Sequence, residues 1–239
     1  NGVSYGGAVL SPIRVWGRRF AYVYGMRQEA QDNPSCSGHC LHVARVPVGS
    51  VADRSRWQFW NGEGWAKDQS QARPMTGVTG KASAPMTQDQ LGITRVEDCR
   101  PVFRHCYVII AHRYTGSFTT EILAWYAHQP QGPWQGPVPV YTPPESSQPG
   151  QLFTYNAKIH PEFTDESGLL GSYDVNGLAP VTDPLNPRRL PARPGTLSLR
   201  LLARCSSSCM MRISVFTPSM SSKISEARPS GCSSRARNT

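Results

Sequence analysis

The chain has 239 residues, 38% hydrophobic and 9% aromatic, which is enough for a packed core and excludes wholesale disorder. Twenty-one Gly and 21 Pro beside only 17% charged residues disfavour a helical bundle and favour short strands joined by turns, and no apolar run approaches the roughly 20 residues of a membrane span. The net charge of +9 is uneven: residues 1–190 hold 17 Lys and Arg against 15 Asp and Glu, whereas residues 191–239 hold eight against one, so no nucleic-acid partner is expected for the body.

In chain order, Phe20 to Tyr24 closes at Gly25, Leu41 to Val46 closes at Pro47, and Trp57 to Trp60 closes at Asn61-Gly62. Tyr107 to Ala111, Glu121 to Tyr126 and Val138 to Tyr141 follow, then Leu152 onward and Leu169 to Tyr173. These runs are β-branched and aromatic, bounded by Gly, Pro or Asn, and read as strands; only Val51 to Arg56 hints at a helical turn. The class is all-β. The runs recur in groups, the first opening at Tyr22-Val23, the second at Tyr107-Val108 and the third at Leu152, a rhythm of β-propeller blades with long insertions. A β-sandwich is the alternative, since strand runs alone do not separate the two.

Cysteines fall beside turns. Cys36 and Cys40 occupy a Pro/Ser/Gly stretch, and Cys99 and Cys106 bracket a short connection, so two local disulfides and an oxidising, extracellular compartment are expected. Zinc, with His39, His42 and His105 nearby, is the weaker reading because the spacing matches no finger. Cys205, Cys209 and Cys232 leave an odd thiol in the tail. From residue 191 onward there are 12 Ser, one aromatic residue and no sustained alternation: a disordered basic arm, a spacer, or translated text from a slipped frame. No signal peptide is visible and the first residue is Asn1, so the chain reads as mature, trimmed or a fragment.

The densest polar cluster is Tyr155-Asn156-Ala157-Lys158-Ile159-His160-Pro161-Glu162, followed by Ser172-Tyr173-Asp174-Val175-Asn176. Strand alternation puts Asn156, Lys158 and His160 on one face, where three polar side chains need a cleft or channel rather than a dry core. The plainer reading is that His160 and Asp174 tie one strand to the next. Glycosidic cleavage needs two carboxylates, and the candidates are Glu121, Glu162 and Asp174; Glu97 and Asp98 look like turn residues. Asp174 or Glu162 would then be the acid/base, and His160 would orient a carboxylate or a metal-bound water. Asn156, Lys158 and Asn176 would bind sugar hydroxyls, and Trp125 and Tyr155 would stack on rings. Trp60 and Trp134 read as packing between sheets. No phosphate-binding loop, nucleophile elbow or His-Glu-x-x-His is present. Calcium held by His160 with Asp174 or carbonyls is a cofactor these residues allow without specifying it.

The series Tyr22-Val23-Tyr24-Gly25, Val43-Ala44-Arg45-Val46, Trp57 to Trp65, Gly132-Pro133-Trp134, Tyr155 to Glu162 and Ser172 to Asn176 resembles a secreted, mainly actinobacterial family long filed as a domain of unknown function. The resemblance spans about residues 5–180. It implies a five-bladed β-propeller related to endo-D-arabinanases, of which this body holds about three blades in residues 1–190. The implied function is a carbohydrate-active protein, a glycoside hydrolase on cell-wall or furanose-containing polysaccharide. The alternative is a non-catalytic propeller binding glycan or a protein partner.

Overall fold

The computed structural model describes residues 2–87, 90–97, 99, 104–113, 121–143, 152–165, 168–177, 195–203 and 211–216, with side chains throughout except at 152–153, 164–165, 168, 175–177 and the last two segments. Three antiparallel sheets follow one another along the chain. The first contains β1 (Ser4–Val15), β2 (Arg18–Glu29), β3 (Gly38–Pro47), β4 (Gln58–Trp60) and β5 (Trp65–Ala66). The second contains β6 (Gly92–Val96), β7 (Cys106–His112), β8 (Ile122–Ala127) and β9 (Gln135–Tyr141). The third contains β10 (Leu152–Asp165), β11 (Gly168–Gly177), β12 (Gly195–Ala203) and β13 (Met211–Phe216). In every sheet the spatial order is the sequence order, so each is a simple meander. The all-β class expected from the sequence is what is found, and the sheets are open. Arg54–Arg56 forms a short 3₁₀ turn, capped by the Asp53 side chain, where the sequence hinted at helix.

Each expected strand run overlaps an observed strand, with Trp57 and Glu121 just outside β4 and β8, but the first two groups begin one strand earlier than the sequence indicated. β1 contains Gly6-Gly7 and Ser11-Pro12, which read as breakers; the register shows why they are tolerated, because β1 slips between Tyr5 and Ala8 and between Leu10 and Ile13. β-Bulges absorb the extra residues at those two places. β6 is only five residues long and carries Gly92 at its start, too short a signal to separate from the loop before it.

Alternation then stacks the sheets. One face of β7 and β8 presents Tyr107, Ile109, Ala111, Leu123 and Trp125 to Leu10, Tyr22, Tyr24, Leu41 and Val43 of the first sheet. The opposite face presents Cys106, Val108, Ile110, Ile122 and Ala124 to Ala157, Ile159, Leu169 and Tyr173 of the third. The middle sheet is buried on both sides, which explains why all thirteen residues of β7 and β8 are buried and why their sequences lack a polar alternate face. Trp134 is fully buried and Trp60 half-buried in the first of these cores, the packing role expected of both.

The edge strands β1, β6 and β10 are drawn together. A Cβ on Gly92 would collide with the backbone nitrogen of Ile159, so the approach of β6 to β10 depends on glycine having no side chain. Both expected disulfides are present, Cys36–Cys40 and Cys99–Cys106, which removes those thiols from any zinc site. Cys205, Cys209 and Cys232 lie outside the described residues, as does most of the tail.

Candidate functional site

The polar cluster sits on the β10–β11 ladder, and a bulge decides its geometry. Tyr155 pairs with Asp174 and Lys158 with Ser172, so Asn156 and Ala157 together face Tyr173. Asn156 takes the extra place with φ of 56°, the left-handed conformation that Asn tolerates better than most residues. The bulge inverts the parity of the strand. Before it Thr154 is buried and Tyr155 half-buried; after it Ala157 and Ile159 are buried, and Lys158 and His160 half-buried. Tyr155, Lys158, His160, Ser172 and Asp174 therefore share one face, and Thr154, Ala157, Ile159 and Tyr173 pack toward the second sheet.

Asn156 is half-buried, as Lys158 and His160 are, and from its bulged backbone the side chain reaches the carboxylate of Asp174. Its Nδ2 donates to Asp174 Oδ2 at 2.8 Å, while its buried Oδ1 has no partner. Lys158 reaches further. Its Nζ donates to the carbonyl of Gly7, in the first bulge of β1, at 3.2 Å, and to that of Leu91, just before β6, at 3.1 Å. One ammonium thus joins the leading strands of all three sheets. Burial lowers the Lys158 pKa, and the Asp174 charge opposes that shift. Because a lysine already supplies the cation at these carbonyls, the spot does not suit calcium. Among the described residues, no three His, Cys, Asp or Glu side chains gather closely enough to share a metal.

Toward the hairpin end, His160 Nε2 lies 2.7 Å from Ser172 Oγ, and its Nδ1 lies 3.6 Å from Glu162 Oε1. His160 is about a third exposed and Glu162 more than half. Phe163 is 64% exposed, its ring 6.4 Å from the imidazole.

The expected residues are thus brought together in two groups. Asp174 stands opposite Tyr155, and Glu162 lies beyond His160, whose partner Leu170 is four residues or about 13 Å along β11 from Asp174. That is too far for two carboxylates to flank one glycosidic bond, which needs about 5 to 10 Å. Trp125 is 2% exposed in the core between the first and second sheets and is not brought to this face. It follows the parity of β8, whose alternate positions both face packed sheets. Asn176 pairs with Phe153 in the register, its side chain being outside the described atoms. Glu121 forms an ion pair with Arg113 at 2.8 Å.

Sequence reasoning gave Ser172 and His112 no role and read His42 only as a weak zinc ligand. Ser172 was visible only as part of a motif; the cross-strand register makes it the partner of His160. His112 is fully buried between the second and third sheets, its ring 6.4 Å from that of Tyr173. Neither ring nitrogen has a hydrogen bond of good geometry, and the same holds for buried Thr154 Oγ1. Burial holds the His112 pKa down at about 4, with the backbone of Tyr155 opposing. Buried His42 of β3 lies 2.8 Å from Glu29 at the end of β2, which also pairs with Arg27. Burial and then the Arg27 charge lower the His42 pKa to about 4 against the pull of Glu29, so a neutral imidazole donates Nε2–H to the carboxylate. A polar residue inside an apolar strand run leaves no periodic signal that separates such pairs from the core.

Residues 3–188 match the model of a family described as a domain of unknown function, DUF5005. No curated protein matches the chain.

Proposed function

We propose that this chain, which belongs to that family of unknown function, forms part of a β-propeller that binds glycan at the polar edge made by Tyr155, Asn156, Lys158 and Asp174. The observation that carries the reading is Lys158: its ammonium reaches carbonyls at the leading strands of two other sheets while standing beside Asp174. Three consecutive meanders, packed face to face with their first strands converging, have the arrangement of blades about an axis. A two-sheet sandwich gives no reason for three leading strands to meet at one side chain. Such an axis gathers polar groups where a chain of hydroxyls can be held, and Tyr155 offers an aromatic face beside them. Two disulfides accord with secretion, as does the lack, among the described residues, of any helix long and apolar enough to cross a membrane.

Binding is favoured over glycoside hydrolysis because Glu162 stands too far from Asp174 to complete a carboxylate pair. The test is titration with soluble cell-wall polysaccharides, arabinan among them, followed by calorimetry and a reducing-end assay. Saturable binding without release of reducing ends is expected, with about tenfold weaker affinity for Asp174→Asn, equivalent to the loss of one charged hydrogen bond. Release of reducing ends would restore the hydrolase reading. Absence of binding to every polysaccharide would end the glycan proposal.

A further inference from the structure

We infer that Ser172, His160 and Glu162 form a nucleophile–base–acid relay that cleaves carboxylic esters of short acyl groups. The geometry is that of an activated hydroxyl. Ser172 Oγ is 2.7 Å from His160 Nε2, within the range in which an imidazole takes a serine proton. The opposite ring nitrogen, Nδ1, faces Glu162 Oε1 at 3.6 Å, on the side where a carboxylate orients the ring and stabilises its charged form. This separation is longer than a hydrogen bond, and such contacts tighten when substrate closes the site. The three residues come from two strands in a fixed register: Ser172 stands opposite Lys158, diagonal to His160.

The surroundings fit an ester better than a purely structural cross-strand bond. His160 and Glu162 are open to solvent, and Ser172 is only half-buried. Phe163, a large apolar side chain left 64% exposed beside the imidazole, offers a seat for an acyl methyl or short chain. The register also slips here, so that Pro161 to Thr164 lie opposite Leu169 alone. The donors for the oxyanion would come from backbone N–H groups of that slipped segment, which lies outside the regular ladder.

The chemistry balances without any co-reactant but water. Ser172 Oγ bonds to the ester carbonyl carbon as its proton passes to His160 Nε2. Collapse of the tetrahedral intermediate breaks the bond to the alcohol oxygen, which leaves with that proton. Water then attacks the acyl-serine and gives a proton to His160. Expulsion of Ser172 Oγ returns the proton to it and frees the carboxylic acid.

The relay does not depend on glycan binding, so its test uses a non-carbohydrate ester. The full chain is treated with a fluorophosphonate probe, the adduct is located by peptide mass spectrometry, and p-nitrophenyl acetate turnover is followed. Labelling at Ser172 is expected, with turnover reduced at least 100-fold in Ser172→Ala and His160→Ala and about tenfold in Glu162→Gln. Circular dichroism of each variant separates loss of chemistry from loss of fold, and the wild-type adduct needs no variant at all. Failure of the probe to label, labelling at another residue, or unchanged turnover in folded Ser172→Ala would overturn the relay.

Discussion

At the scale of single residues, the molecule keeps two imidazoles neutral by burial. His42 and His112 both have pKa values near 4 in the folded chain, against about 6.5 when unfolded. The unfolded state therefore binds more protons between those values, so their contribution is complete above pH 6.5 and is lost as pH falls toward 4. Each should cost about 2 kcal/mol of stability between pH 7 and pH 5. Urea unfolding at the two pH values is expected to show this drop, and His112→Leu should remove about half of it. The same scale shows what could be foreseen in the site. The types and order of Tyr155, Lys158, His160 and Asp174 were legible, because polar residues in a strand must face something wet. The left-handed turn at Asn156 was not, since an inserted residue has no composition of its own and only the partner strand reveals it.

At the scale of elements, strands that carry both periodicity and closing turns were read from the sequence, whereas β1 and β6, with internal breakers, and β12 and β13, in the Ser-rich tail, were not. β1 accommodates Gly6, Gly7 and Pro12 by slipping register, which an isolated sequence window reads as loop. β6 hides for a related reason: Gly92 looks like a terminator and is in fact the point where β6 touches β10. Gly92→Ala places a methyl group against the Ile159 backbone, which cannot retreat without breaking its ladder to Gly171. A loss of about 1–3 kcal/mol is expected, the usual cost of overpacking, with a lower thermal midpoint as the readout. Trp125 shows the opposite failure. Aromatic residues in β8 resemble a sugar platform in the sequence, but both faces of the middle sheet are packed, so no position of that strand is available as one.

For the molecule as a whole, stacking of three sheets follows from two apolar faces on the middle one, and the all-β class was evident from composition and turn frequency. How the sheets meet was not evident, because it rests on Lys158, Gly7 and Leu91, which no local pattern connects. Lys158→Met keeps the stem and removes the ammonium, leaving both carbonyls without their donor. We expect about 2 kcal/mol of destabilisation in thermal or denaturant unfolding, from the loss of charge-assisted hydrogen bonds to half-buried Gly7 and buried Leu91. The bond from Lys158 to Gly7 also spans 151 residues of chain. During synthesis at about 5–20 residues per second, the carbonyl of Gly7 waits roughly 8 to 30 seconds for its partner to leave the ribosome. Through that interval β6, which also packs on β1, emerges first, and the bond from Lys158 to Gly7 can close only after both strands are in place.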